Sequence, residues 1–337
     1  CPGCGKIDYP DPILNQRLSV EQCLEAVDEC GAPVVSIAGG EPLLHREIEQ
    51  VVEGIIARKK FVYLCTNALL LEKKIDQYKP NPYFVWSIHL DGDEEMHDHA
   101  VSQKGTYDRA IAAIKLVKSR GFRCNINCTL FDGADPERVA RFFDSVMEMG
   151  LDGITVSPGY AYERAPDQAH FLNRQKTKEL FRNIFRAKNG TPWSFSQSGL
   201  FLDFLAGNQN YHCTPWGNPT RTYFGWQRPC YLVGEGYTKT FKELMETTDW
   251  DAYGTGKYEK CADCMVHSGY EATAVMDATK HPLKALGVAL RGVKTDGDMV
   301  PEISLDKQRP AEFVFSRHVE NALEQIKNQK VTNEAAE

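Results

Sequence analysis

Long hydrophobic runs are missing: no apolar stretch in the 337-residue sequence reaches the ~18 residues that a membrane-spanning helix requires. Charge of one sign is not gathered into blocks either. The 39 Lys and Arg and the 46 Asp and Glu are spread along the chain and leave a formal net charge of -7, so nothing recommends a nucleic acid as partner. Apolar residues at 42% and charged residues at 25% are the fractions of a globular protein and exclude a fibrous or wholly disordered chain. A disulfide framework is not indicated. The eleven cysteines are odd in number and include C-x-x-C pairs that suit metal, so a reducing, cytoplasmic setting is expected. The length suffices for one large α/β barrel-like domain or two ordinary ones.

From Val34 to about Asn189, short β-branched runs alternate with helical stretches, the pattern of βα units on a parallel sheet. Strands are expected at Val34 to Ala38, Phe61 to Thr66, Tyr83 to Leu90, Arg123 to Leu130 and Gly153 to Ser157. Between them, Thr106 to Val117 repeats apolar residues at helical spacing, and a helix from Pro136 has Asp135 as its cap. A sixth strand is expected upstream of Cys1. Groups at the carboxyl ends of such strands converge on one mouth: Gly39-Gly40-Glu41, Cys65-Thr66-Asn67, His89-Leu90-Asp91-Gly92, Asn125 and Asn127, and Ser157 to Tyr160. After about Gly190 the sequence becomes rich in aromatics and turns from Trp193 to Tyr231. The division expected is 1–190, 191–279 and an amphipathic and helical tail at 280–337, with a basic amphipathic stretch at Lys280 to Lys294, a helix from Pro310 to Lys327 and a frayed end from Val331.

Cys1-Pro2-Gly3-Cys4 is a pair of thiols at metal-binding spacing. Alone it reads equally as part of an iron–sulfur site, half a zinc knuckle or a redox pair. In Ile37-Ala38-Gly39-Gly40-Glu41-Pro42 the glycines permit close backbone approach, and Glu41 at a strand mouth is a place for a polar ligand. A plain strand-to-helix turn explains Pro42 but not Glu41. Cys65 ends an apolar strand and should face the same mouth, where a thiol can give a hydrogen atom to a carbon radical; the bland alternative is a small core side chain. Cys23, Cys30, Cys124 and Cys128 read as packing residues, His97 as structural and Asp98 as a turn or cap residue. Cys213, Cys230, Cys261 and Cys264 form a late set of four, enough for a second metal site holding a 4Fe-4S cluster or zinc.

Together, the C-x-x-C turn and the Gly39 to Pro42 segment resemble the radical S-adenosylmethionine (SAM) enzymes. That resemblance implies a partial (β/α)6 radical SAM barrel with its first strand ahead of Cys1, and a smaller aromatic- and cysteine-rich C-terminal domain. It implies that Cys1 and Cys4 are two of three ligands to a 4Fe-4S cluster, the other cysteine lying upstream. SAM is expected at Gly39, Gly40 and Glu41, with Ser87 and Asp91 near its ribose or methionine part and Asn125 or Asn127 at the ribose. The surroundings of these motifs, Tyr63-Leu64-Cys65-Thr66-Asn67 and the aromatic C-terminal half more narrowly resemble the adenosylhopane synthases of hopanoid biosynthesis. By that resemblance the chain adds a 5′-deoxyadenosyl radical to the terminal alkene of diploptene, with Cys65 as catalytic hydrogen donor. Aromatics of the second region would wall the pocket, and a flavodoxin- or ferredoxin-type protein would serve as reductant. Because diploptene resides in membranes, peripheral contact through Lys280 to Arg291 is expected, against the alternative of a solvated surface helix. The rival enzyme reading is a radical SAM peptide maturase with an auxiliary cluster, although its longer cysteine pattern is absent. The rival without catalysis is a zinc or iron–sulfur binding module, which leaves Glu41 unexplained.

Overall fold

The computed structural model describes residues 1–4, 9–162, 165–311, 319–320, 322–324 and 326–327. Five strands, β1 (Val34–Ile37), β2 (Phe61–Thr66), β3 (Phe84–His89), β4 (Arg123–Leu130) and β5 (Gly153–Pro158), pair in sequence order. All four pairings are parallel. Each return therefore needs a crossover, and right-handed crossovers put the connecting helices on one side of the sheet. The helices Ile48–Ala57, Thr106–Ser119 and Pro136–Glu148 occupy those returns. The last begins where Asp135 accepts hydrogen bonds from the backbone of Glu137 and Arg138, with Pro136 in the first turn. Asp98 does the same service further back, accepting from Gly105 and Tyr107 at the start of the helix Thr106–Ser119.

Side chains alternate across a strand, and here the two faces have opposite chemistry. One face carries Val62, Leu64, Trp86, Ile88, Cys124, Ile126, Cys128, Ile154 and Val156, all without solvent exposure. They pack under the helices through Val51, Val52, Ile55, Ile114, Val117, Phe143 and Val146. Cys124 and Cys128 are thus packing residues, as their four-residue spacing predicts. The opposite face carries Ser36, Tyr63, Cys65, Ser87, His89, Asn125, Asn127 and Thr155, aligned by the register Cys65, Ser87, Asn125 and His89, Asn127, Thr155. A parallel sheet buried on both faces reads as continuous apolar sequence. This one is polar on its inner face, where Asn125 donates to Thr155 and to Ser196.

The edge of β5 is covered by the segment around Phe195, where Ile154 donates to Ser194 and Ser196 donates back to Ile154, 2.8 Å each. Beyond it lie the helices Arg174–Ala187, Gly199–Leu205, His267–Lys280 and Pro282–Arg291 and a small antiparallel sheet, β6 (Thr220–Thr222), β7 (Gly225–Gln227) and β8 (Tyr237–Thr238). One apolar core runs from Val27 to Val288 and takes in both regions. Aromatics of the second region read equally as pocket walls or as ordinary core, and Phe201, Phe204 and Trp226 are core: Phe201 and Phe204 are fully buried against Tyr270 and its neighbours, and Trp226 packs with Leu244 and Phe241. The basic stretch at 280–294 is broken at His281, where one helix ends and Pro282 opens the next. The helix expected at 310–327 lies partly outside the described residues; 319–320, 322–324 and 326–327 are helical, with Ala322 and Ile326 packed near Ile13. The end expected to fray, from Val331, lies wholly outside them.

Candidate active site

Cys1 to Cys4 form a turn closed by the Cys4 amide on the Cys1 carbonyl at 3.1 Å. The turn is held to the strand mouths. Asp167 donates to the Pro2 carbonyl at 2.9 Å, and Gly3 lies against the ring of Phe131, just past β4. A Cβ at Gly3 would meet that ring at 2.7 Å, and one at Gly159, just past β5, would meet it at 2.6 Å. Cys1 is exposed, Cys4 half-buried, and both thiols are free.

Glu41 follows β1 and is fixed by its own fold. Its Oε1 accepts from the Leu43 amide at 3.0 Å and the Thr66 hydroxyl at 2.9 Å, and Oε2 accepts from the Asn67 amide at 2.8 Å. A carboxylate has about four lone-pair sites, so donors from the described residues leave one on Oε2 for a ligand's ammonium. Beside it, Gly39 sits at φ +62°, and a Cβ on Gly39 or Gly40 would touch nothing closer than Pro42 Cγ at 4.0 Å. The Gly-Gly turn therefore borders open space.

On β3 and β4 the expected residues divide. Asp91 is buried, and its carboxylate is engaged by the chain: Oδ1 accepts from the Thr129 amide at 2.7 Å, and Oδ2 pairs with His89 Nε2 at 2.8 Å. It therefore ties the mouth ends of β3 and β4 together and aims His89. The His97 imidazole is buried and accepts from the Asp91 amide at 3.2 Å, a structural role. Ser87 is buried beside Cys65 in the register. Asn125 is buried and commits its amide to Thr155 and Ser196, leaving Oδ1 without a partner; Asn127, one pleat nearer the mouth, is partly open. Thr66, His89 and Ser157 stand at the mouth as expected, whereas Ser36 and His267, which meets Ser157 at 2.8 Å, were not singled out from sequence. The signal available was the polar half of each strand's alternation.

Burial alone would lower the pKa of His89, but the charge and hydrogen bond of Asp91 outweigh it and hold it above the ordinary imidazole value. Such a pair stabilises the fold fully below the unfolded imidazole pKa of about 6.5, and that contribution fades as pH rises through the higher folded value. Asp91→Asn is expected to lower the His89 pKa, read as a downward shift of its imidazole NMR titration; an unmoved titration would show that Asp91 does not control it.

Cys65 lies on the inner face of β2 with its sulfur 3.4 Å from Ser36 Oγ, half-buried, and in the electrostatic field of Tyr231. Cys213, Cys230, Cys261 and Cys264 are brought together in the second region. Burial pushes their thiols up, that of Cys264 to about 12. Among the described residues no three His, Cys, Asp or Glu side chains converge as ligands of a single metal ion.

A parallel half-barrel with a C-x-x-C turn and a Gly-Gly-Glu turn at its mouth defines the radical SAM fold, whose family cofactors are a 4Fe-4S cluster and SAM. Residues 1–146 match the Radical SAM superfamily; residues 154–288 match a family described as "Domain of unknown function (DUF3463)". The GTP 3′,8-cyclase of Clostridium perfringens (strain 13 / Type A) is 25% identical over 158 residues, 45% of this chain and 49% of that protein. The chain thus spans about half the length of that curated relative. The AdoMet-dependent heme synthase of Methanosarcina barkeri is 24% identical over 44% of this chain and 43% of its own. Among solved structures, Streptococcus suis SuiB bound to precursor peptide SuiA superposes with TM-score 0.58 at 16% identity, over 80% of this chain and 67% of that one. Histidine-tagged anSMEcpe with bound AdoMet gives 0.54 at 19%, over 87% and 92%. The residues present fit the family's cofactors: two accessible free thiols on a docked turn, an oriented carboxylate with one acceptor site left, and an open Gly-Gly cradle.

Proposed function

We propose that the chain joins the 5′ carbon of SAM's adenosyl group to the terminal alkene of diploptene, forming adenosylhopane. The observation that carries this reading is the place of Cys65, a thiol on the polar inner wall of the half-barrel, one strand from Ser36 and Ser87. The cluster and SAM, when bound at Cys1, Cys4 and Gly39 to Glu41, supply a carbon-centred 5′-deoxyadenosyl radical. Glu41, locked by Leu43, Thr66 and Asn67, orients the methionine end, and the glycines admit it. Addition to an alkene leaves a carbon radical one hydrogen short of product. Cys65 gives that hydrogen atom, because an S–H bond is weaker than most C–H bonds, and its thiyl is restored by one electron from a flavodoxin- or ferredoxin-type protein and one proton. The inner wall must hold alkene and radical together and keep other hydrogen donors out.

Diploptene is dissolved in membranes, and the helix Pro282–Arg291 supports a route to it. Leu283, Leu286 and Leu290 share one face at helical spacing and are 83%, 52% and 79% exposed, with Lys280 and Arg291 at the flanks; among the described residues no helix is long and apolar enough to cross a membrane. This apolar stripe rests on the bilayer surface. Each leucine burial is worth roughly 1.5–3 kcal/mol, so L283D/L290D is expected to cut vesicle binding about a hundredfold in flotation; unchanged flotation overturns the membrane contact. The function itself is tested by incubating full-length protein with SAM, a low-potential reductant and diploptene. A covalent adenosine–hydrocarbon adduct is expected; turnover of GTP or of a peptide in its place would assign another substrate.

A further inference from the structure

We infer that the cleft between the turn Thr255-Gly256-Lys257 and the segment 303–307 is an anion site, built for a phosphate-bearing small molecule. This goes beyond the reaction proposed above and depends on neither SAM nor diploptene. The cleft holds about 480 Å³, within the range of small-molecule sites. His212, Lys257 and Lys307 line it together with Asn210, Thr255 and Ser304, and no carboxylate among the described residues does. The chain as a whole has 46 acidic against 39 basic residues. A cleft whose charged lining is cationic alone stands out against that balance and draws anions.

Backbone contacts fix its sides. Arg309 donates to the Lys257 carbonyl at 2.9 Å and accepts from the Glu259 amide at 3.0 Å, so the chain following 303–307 pairs with the turn. At the other end Asn210 Nδ2 donates to the Pro301 carbonyl at 2.8 Å. Gly256 sits at φ +79°, and a Cβ there would meet the Ser304 carbonyl oxygen at 2.8 Å. Glycine therefore lets the two sides approach closely.

Positive charge also lies behind the floor. The buried Thr255 hydroxyl accepts from Arg174 Nη1 at 3.3 Å, while Arg174 Nη2, on a side chain only 4% exposed, has no partner. Lys178, one helical turn on and fully buried, shares Glu302 with Arg174, at 2.7 and 3.6 Å respectively. Arg182, a further turn on and also buried, meets neutral acceptors: the carbonyls of Ala206 and Gly297 and Oδ1 of Asn208. Among the described residues, three buried cations on one helix face thus meet a single carboxylate directly. Buried charge without a partner is costly, and an anion in the cleft offsets the excess from the solvent side.

The acids at the rim leave the cations available. Asp251 stands 3.8 Å from Lys257 Nζ, beyond hydrogen-bond distance, and Asp306 is occupied by the Ser304 hydroxyl at 2.9 Å. Donors at Lys257, Lys307 and His212 come from three separate stretches of chain. A phosphate group, with three acceptor oxygens and up to two charges, can meet all of them, whereas a carboxylate presents two oxygens in one plane.

Pyrophosphate is the probe, titrated by calorimetry into full-length protein at fixed ionic strength. Saturable one-to-one binding is expected, and none with acetate. Lys257→Gln with Lys307→Gln is expected to weaken it roughly tenfold for each lysine removed. Lys73→Gln with Lys115→Gln, on exposed helix surface away from the cleft, is expected to leave it unchanged. Binding that is absent, that does not saturate, that survives the first pair of substitutions or that falls equally with the second would each overturn the inference. Should the first pair fail to fold, lysine acetylation of the unmodified protein decides. Pyrophosphate is expected to protect Lys257 and Lys307 but not Lys73 or Lys115, read by peptide mass, and equal labelling with and without it refutes the site.

Discussion

Replacing Cys65 with alanine is expected to stop product formation while SAM cleavage continues. The thiol lies on the inner wall, and the carbon radical formed on addition has no other donor assigned to it. A decrease in adduct on the order of 10²-fold is expected, the scale seen when a positioned reacting group is removed, with 5′-deoxyadenosine still released. Cys65→Ser separates chemistry from packing. Serine preserves the contact with Ser36, 3.4 Å away in the wild-type chain, so a merely structural cysteine would be rescued. An O–H bond is too strong to donate readily, so a hydrogen donor would not be. Cys65→Ala protein that forms the same adduct, at the same rate and with the same configuration, would sink the assignment.

The second large effect is on stability. Lys178 has no solvent exposure, and its ammonium pairs with Glu302 at 2.7 Å, while Arg174, one helical turn earlier, faces the same carboxylate. Glu302→Ala leaves two buried cations without their anion. Breaking such a pair costs about 3–5 kcal/mol; because Glu302 itself is partly exposed, the lower end is expected. That corresponds to a fall in Tm of roughly 6 °C for a chain of this size. Lys178→Met in the Glu302→Ala background is expected to recover part of the loss, since an apolar group of similar length tolerates the site. A Tm within about 1 °C of wild type, measured by calorimetry at about neutral pH, would show that water already screens the pair.

The strands were legible because β-branched runs end in turn signals: β2 and β4 fall at the expected residues, and β1 is one residue shorter than its sequence pattern. The mouth was legible too, since Glu41 follows β1 and Cys65 lies next to the last residue of β2. What sequence could not supply was register. The bond from the Thr129 amide on β4 to Asp91 past the end of β3 depends on which residues the parallel sheet sets side by side. The aromatics of the second region were ambiguous for a different reason. Phe201 and Phe204 bury the same surface whether they line a cavity or fill a core, and the pattern of the residues opposite them, such as Tyr270, is set by the tertiary fold. Arg174 was equally hidden, being a charged residue in the first turn of a helix whose other basic residues include exposed ones.

The measurement that bears most directly on the proposed reaction is the mass of the product formed by full-length protein in D2O from SAM, a low-potential reductant and unlabelled diploptene. A thiol exchanges its hydrogen with solvent, so the account predicts an adenosine–hydrocarbon adduct carrying one deuterium on the former alkene. 5′-Deoxyadenosine with no adduct would contradict the addition reaction, and an adduct without deuterium would contradict hydrogen donation by Cys65.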